Sequence, residues 1–510
     1  MNKLNPIQFI RPASAMLLAC GVKGEMMGSV DPCPEYRRLS MFLRLVLALA
    51  VTCFPGALTC VATESDGKRP NILFLAVDDL RPELDSYGAR QMVTPHFDRL
   101  AGRGVRFDRA YCNIAVCGAS RASLMKGLRP TPSRFTKYHT RADEDAPQVP
   151  SLPMVFKQHG YHTQSNGKVY HHVTDDPQAW SEPSWVPETP SIWWALPENR
   201  ALATGKDRGP AYEAADAPDE IYPDHQICDK TLADLRRLAE QNQPFFLACG
   251  FYRPHLPFSV PQKYWDLYPP DQIELPDNMF FPHNLPAAFQ YDWGELRAYH
   301  GIPKQGPVSE ETARQLIRGY YASVSFVDAQ LGRLLDALEE LGVADNTVIV
   351  LWGDHGFQLG EHGFWCKHTN FEIASRTPLM IAAPGIEGGR VSRRLVEFID
   401  IYPTLCDLAG LPQPDHLQGK SMLPLLLDAD AEHKQAVYTR HGGGDAVRTD
   451  RWRYKEMRSR GGLGDLLGVG LFDLENDPDE NQNVAEDPAH ADVRQTLKAM
   501  LDATQAGFDP

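Results

Sequence analysis

Residues 71–80 read NILFLAVDDL, an unbroken apolar run closed by two acids. A strand with one wet face alternates apolar and polar residues, so a continuous run is the pattern of a strand covered on both faces, as in a parallel sheet. Such a strand delivers Asp78 and Asp79 at its carboxyl end. The segments around it repeat the theme of strand, loop and helix. In TPHFDRLAGRGV (94–105), Thr94 is the expected N-cap, Pro95 the first helical residue and glycine the stop. In 311–342, Ile317, Tyr320, Val324, Val327, Leu331, Leu334, Leu338 and Leu341 recur at helical spacing until Gly342. NTVIVLWGDHG (346–356), PFFLACG (244–250) and TPLMIAAPG (377–385) supply further strands.

This alternation predicts an α/β fold, a mostly parallel sheet flanked by helices, with ligands gathered beyond the carboxyl ends of its strands. After about Gly419 the texture changes. AVRTDRWRYKEM (446–457) and LFDLENDPDENQNVA (471–485) read as short strands and a turn-rich acidic segment, a smaller C-terminal α+β domain. The expected division is an N-terminal extension with a signal peptide over 1–65, a catalytic domain over 66–419 and a subdomain over 420–510. The Trp/Pro-rich 177–197 reads as a long surface loop.

The net charge of −15 excludes nucleic acid and anionic membrane surfaces as general partners, and an anionic substrate needs a local basic pocket. RRLSMFLRLVLALAVTCFPGALTCVATES (37–65) has the basic flank, apolar run and small-residue end of a secretory signal, with Met41 as the natural start. Pro55 and Gly56 shorten the run below the roughly 20 residues of a stable membrane span. Export to the periplasm or the extracellular space follows, or to the lysosome in an animal. Beyond that segment Cys112, Cys117, Cys228, Cys249, Cys366 and Cys406 remain. If one is chemical an odd number is left, which argues against a full disulfide framework. A small Cys112–Cys117 loop is the alternative in an oxidising compartment.

VCGASRASLMKGLRP (116–130) places Cys117 at a helix start and Arg121 one turn later on the same face. Helix N–H groups and a forked guanidinium favour an anion there, and Gly118, Ala119 and Ser120 are small enough for a ligand to come close. Three residues separate cysteine from arginine; a cysteine-dependent phosphatase loop has five. Asp78 and Asp79 at one predicted strand end, and Asp354 in WGDHGFQLGEHGFWCKH (352–368) at another, converge on one crevice, where three carboxylates suit a hard ion such as Ca²⁺. His355 is a softer donor and a poorer match for that ion. SNGKVYHHVTDD (165–176) adds Lys168, His171 and His172, and YRPHLPF (252–258) adds His255.

CGASR resembles the C-x-P-x-R signature of the sulfatase family, with Ala119 in the proline position. The order Asp-Asp, Cys…Arg, Gly-Lys…His, Pro-His-x-Pro, Asp-His-Gly…Lys matches that family from about Arg69 to Val484. GKVYHH, RPHLPF, GEHGFWCKHTNFE and LFDLENDPDEN are most similar to its iduronate branch. The resemblance implies an alkaline-phosphatase-like fold, conversion of Cys117 to formylglycine by a formylglycine-generating or anaerobic sulfatase-maturing enzyme, and one Ca²⁺ per chain held by Asp78, Asp79, Asp354 and residue 117 with His355 beside them. It further implies that Arg121 orients residue 117, Lys168 and Lys367 bind sulfate oxygens, His255 with Lys367 protonates the leaving oxygen, and His171 takes a proton, with His172 an open alternative. The implied substrate is a sulfated saccharide, a 2-O-sulfated uronic acid at the end of a glycosaminoglycan-type chain, on which Trp193 and Trp194 are candidate stacking residues. Another sulfated polysaccharide, a two-zinc phosphohydrolase of the same fold and a non-catalytic sulfoglycan binder are the competing readings.

Overall fold

The computed structural model describes residues 68–188, 193–203 and 208–508. The expected leader over 1–65 lies outside the described residues. No helix among those described is long and apolar enough to cross a membrane.

Seven strands form the central sheet: β1 (Asn71–Val77), β2 (Val105–Tyr111), β3 (His162–Gly167), β4 (Phe245–Phe251), β5 (Thr347–Gly353), β6 (Leu379–Ala382) and β7 (Arg390–Glu397), in the spatial order β7-β2-β6-β5-β1-β4-β3. β1 pairs in parallel with β4 and β5, β4 with β3, and β7 with β2; only β6 runs antiparallel to its neighbours. Burial explains the unbroken run of β1. Leu73, Leu75 and Val77 enter the core on one face, Ile72, Phe74 and Ala76 that on the other, and all six are inaccessible to water. The first core is closed by the long helix Glu310–Glu340, whose apolar stripe is buried as its spacing predicts and whose N-terminus is capped by Ser309 through Thr312 N–H. Helix Pro95–Arg103 starts where expected, but Thr94 does not cap it: Asp328, from the long helix, accepts from His96 and Phe97 N–H at 2.9 and 2.8 Å, while Thr94 Oγ1 accepts from Asp85 N–H.

The C-terminal part is a four-stranded antiparallel sheet, β8 (Val437–His441), β9 (Gly444–Arg448), β10 (Trp452–Arg458) and β11 (Leu466–Asp473), with helix Ala491–Ala506 packed on it. Tyr438, Val447, Tyr454, Leu471, Leu497 and Leu501 make its core. The 177–197 stretch is less superficial than its composition suggests, since Trp180 and Trp194 are buried.

Hydrogen bonding continues past the strand ends. Asp78 N–H reaches Phe251 O at 3.2 Å, Lys168 N–H reaches Gly250 O at 2.8 Å, and Asp354 N–H reaches Val77 O at 3.1 Å. The loops after β1, β3, β4 and β5 are thereby held side by side. Gly250 permits this crossing, because a Cβ there would lie 2.1 Å from the Lys168 carbonyl carbon.

Candidate active site

Cys117 opens helix Cys117–Lys126, every residue of which is buried. Gly118 must be small for the protein's own sake: a Cβ would lie 1.9 Å from Tyr138 O. Ser120 Oγ likewise donates to Asp354 O at 2.6 Å. The small residues after Cys117 therefore seat backbone and loop, and do not make room for a ligand as expected.

Arg121 is fully buried, and its guanidinium is committed to protein acceptors. Nε donates to Asp354 Oδ2 at 3.0 Å, one terminal nitrogen to Asp78 Oδ1 at 3.2 Å, and the other to the carbonyls of Lys168 and Val169. The expected fork for a ligand's tetrahedral oxygens is instead a clamp on two carboxylates, a geometry that suits the planar five-donor head.

Around this clamp the predicted acids converge. Asp78, Asp79 and Asp354 are completely buried, and Asp79 N–H donates to Asp354 Oδ1 at 3.0 Å. Potential ligand atoms of Asp78, Cys117, Asp354 and His355 all lie within 4.8 Å of one another, as do those of Asp78, Asp79, Cys117 and His255. His355 Nδ1 lies 2.9 Å from Gly356 O, and its Nε2 lies 3.2 Å from Cys117 Sγ and 3.4 Å from Asp79 Oδ1. Asp79 Oδ1 is buried without a hydrogen-bond partner. An orphaned carboxylate oxygen in a dry cluster of three acids is costly unless a further cation completes it. The donor set, mostly hard oxygen, fits a divalent ion such as Ca²⁺.

Burial, reinforced by Asp78, pushes the Cys117 thiol well above its usual range, so the unmodified side chain is a neutral thiol. Lys168 Nζ pairs with Asp78 Oδ2; burial alone would lower this lysine, but Asp78 and the other negative groups around it together raise it. Lys367 Nζ lies 3.0 Å from Asp79 Oδ2 and 2.8 Å from Glu295 Oε2; burial lowers this lysine, and Asp79, Glu295 and the other groups around it together raise it. His255 Nδ1 is 2.6 Å from Leu256 O, and its Nε2 is 3.0 Å from Glu295 Oε1. Burial and the charge of Lys168 bring His171 down to about 2, so its imidazole is neutral, and its Nδ1 has no partner.

Cys117, Lys168, His171, His255 and Lys367 all line one cavity of about 510 Å³, with Tyr138, Trp193, Arg208, Tyr252, Glu295 and His368. Of the two adjacent histidines, His171 lines this cavity; His172 stacks edge-on against it and faces a neighbouring cleft. Trp193 reaches the cavity, whereas Trp194 is an internal anchor, its indole N–H donating to Pro210 O at 2.9 Å. The six cysteines of the described residues are all free, Cys112 and Cys117 included, so the small disulfide loop is absent. Sequence reasoning missed Glu295, Arg208 and Tyr138. DWGELR (292–297) carries no signal beyond an ordinary surface turn, and the other two reach the cavity from distant segments, Arg208 from the short strand Arg208–Pro210.

With this geometry in view, relatives are informative. The family model described as Sulfatase matches residues 70–411, and that described as N-sulphoglucosamine sulphohydrolase, C-terminal, matches 360–507. Iduronate 2-sulfatase of Mus musculus is 33% identical over 438 residues, 76% of each chain. A sulfatase of Formosa agariphila is 33% identical over 471 residues, 86% of this chain and 88% of that one. Among solved structures, the phosphonate monoester hydrolase of Agrobacterium radiobacter superposes with a TM-score of 0.71 at 24% identity, covering 86% of this chain and 96% of the other, a likeness of fold. The chain belongs to the sulfatase family. It is a sulfuric ester hydrolase, with a central mostly parallel sheet and an antiparallel C-terminal sheet.

Proposed function

We propose that this protein hydrolyses sulfate esters on sugars, specifically the 2-O-sulfate of iduronate or a related uronate at the end of a glycosaminoglycan-type chain, after export from the cytoplasm. The observation that carries this reading is the seating of Cys117 among three buried carboxylates at the floor of a cavity whose walls bear Lys168, Lys367, His171 and His255. The 33% identity to iduronate 2-sulfatase favours the uronate. Arg208 supports it as well: it lines the cavity, its guanidinium lies 5.3 Å from the centre of the Tyr299 ring, and among the described residues it has no carboxylate ion-pair partner. That leaves it available to a sugar carboxylate. In this reading residues 66–419 carry the chemistry and 420–510 form a supporting subdomain.

One Ca²⁺ held by Asp78, Asp79, Asp354 and residue 117, with His355 beside them, supplies positive charge next to the sulfate, and formylglycine at 117, made by a formylglycine-generating or anaerobic sulfatase-maturing enzyme, supplies as its hydrate the attacking oxygen. Arg121 fixes the carboxylates around residue 117 and so orients it. Lys168 and Lys367 bind sulfate oxygens, offering ammonium charge where negative charge gathers. His255, with Lys367, protonates the departing sugar oxygen. His171, whose Nδ1 has no hydrogen-bond partner, accepts the proton given up at residue 117 when sulfate departs.

Mass spectrometry of the peptide containing residue 117, from protein made with the maturing enzyme, together with sulfate release from defined disaccharides, tests the proposal. A carbonyl-reactive residue 117 and preferential release from a terminal 2-O-sulfated uronate are expected. An intact thiol in active protein, or two zinc ions and phosphate release in its place, would overturn it.

A further inference from the structure

Glu295 belongs to no motif used above, yet it stands at the centre of the cavity's cationic wall. Its Oε1 lies 3.0 Å from His255 Nε2 and 3.0 Å from Lys367 Nζ, and its Oε2 lies 2.8 Å from Lys367 Nζ. Its side chain is 13% exposed, and the exposure is to the cavity. A carboxylate on the wall of a chamber that must admit an anion opposes that entry, so packing alone does not account for a charged residue here. What it does geometrically is clear from its partners. Lys367 carries its ammonium on a flexible four-carbon stem, and its only other carboxylate among the described residues is Asp79, at 3.0 Å, among the acids at the cavity floor. The His255 ring is otherwise anchored through Nδ1, to the Leu256 carbonyl, with Asp79 Oδ2 4.0 Å from Nε2.

We propose that Glu295 is a positioning residue for the departure of the leaving group. It holds the Lys367 ammonium between itself and Asp79 and fixes the His255 ring through Nε2, so that imidazole and ammonium stand side by side on the cavity wall. The inference rests on the reading that His255 and Lys367 serve the leaving oxygen. As the S–O bond to the leaving group breaks, its electron pair stays on that oxygen, a proton passes to it from His255 Nε2, and the alcohol departs while the sulfuryl group is taken by the attacking oxygen. Orientation of a proton donor is worth a large part of the 10²–10⁴-fold that such catalysis supplies, and its value grows as the leaving oxygen becomes more basic.

The test is a series of aryl sulfates whose phenols span a range of acidity, hydrolysed by matured wild type, Glu295→Gln and Glu295→Asp. In Glu295→Gln, kcat/KM for the most basic leaving group should fall at least about tenfold further than for 4-nitrophenyl sulfate. The plot of log kcat/KM against leaving-group pKa thereby steepens, and Glu295→Asp, which keeps the charge, recovers part of the slope. Parallel plots for wild type and Glu295→Gln, whether displaced or superimposed, overturn the proposal. Should Glu295→Gln fail to fold, an unchanged slope in Glu295→Asp has the same force. Failure of the substrate reading is seen separately: a wild type that hydrolyses the aryl series but releases no sulfate from a uronate disaccharide sinks that reading and leaves the slope comparison intact.

Discussion

The backbone N–H of Asp79 donates to the side chain of Asp354 at 3.0 Å, joining two residues 275 positions apart. With Asp354 N–H bonded to Val77 O, this fixes the loops after β1 and β5 as one acidic floor. A crevice formed by neighbouring parallel strands is rigid, because each loop leaves a ladder that is buried on both faces.

The first expectation concerns the ion itself. Asp79 Oδ1 is buried without a hydrogen-bond partner beside Asp78 and Asp354, so Ca²⁺ should raise the melting temperature. At a free concentration 100-fold above its dissociation constant the gain is about 2.7 kcal/mol. Differential scanning calorimetry with and without chelator measures it. Asp79→Asn should remove most of the shift; an identical melting temperature with and without Ca²⁺ would show that the floor is not a cation site.

Arg121 offers a test of the clamp. Arg121→Ala removes the guanidinium shared by two buried carboxylates, leaving Asp78 with Lys168 and Asp354 without Arg121, and breaking such a buried pair costs about 3–5 kcal/mol. Denaturant unfolding should show a loss of that order, with Arg121→Lys intermediate, since one ammonium cannot bridge Asp78 and Asp354 while also meeting two carbonyls. A loss under about 1 kcal/mol would contradict the clamp.

Substrate choice should reside partly in Arg208. Hydrogen bonds to charged groups contribute about 1.5–3 kcal/mol, so Arg208→Ala should raise KM for a sulfated uronate roughly 10- to 100-fold. For a sulfated sugar without a carboxylate the change should be slight. Steady-state kinetics on the two substrates decides it, and equal changes for both would remove Arg208 from the specificity argument.

Acid should loosen the seam between sheet and subdomain. Burial alone would raise the Glu372 carboxyl, but Arg453, Arg448 and Arg376 prevail and bring it down from 4.5 to about 2. Because the folded value lies below the unfolded one, its stabilisation is full above about pH 4.5 and is lost as pH falls towards about 2. The shift corresponds to about 3 kcal/mol at neutral pH. Glu372→Gln should therefore be distinctly less stable than wild type at pH 7, with the gap narrowing between pH 4.5 and 2. A gap independent of pH in equilibrium unfolding would rule this out.

What the sequence by itself determined is local or periodic. The unbroken run of β1, the stripe of the long helix and the acids at strand ends follow from burial and from side-chain period, and these need no partner to be read. The order of the motifs along the chain was enough to indicate the family and to bring Cys117, Asp78, Asp79, Asp354, Lys168, His171, His255 and Lys367 to one place. Tertiary structure alone decided how those residues are partnered. Asp328 caps a helix that Thr94 was expected to cap, Arg121 grips carboxylates where a ligand was expected, and Trp194 is internal while Trp193 faces the cavity. Glu295 and Arg208 have no sequence signal, because a lone charged residue in a turn has the same local pattern whether it faces water or a reacting group. Only the path of the intervening chain brings it within 3.0 Å of His255 or onto the wall above Cys117.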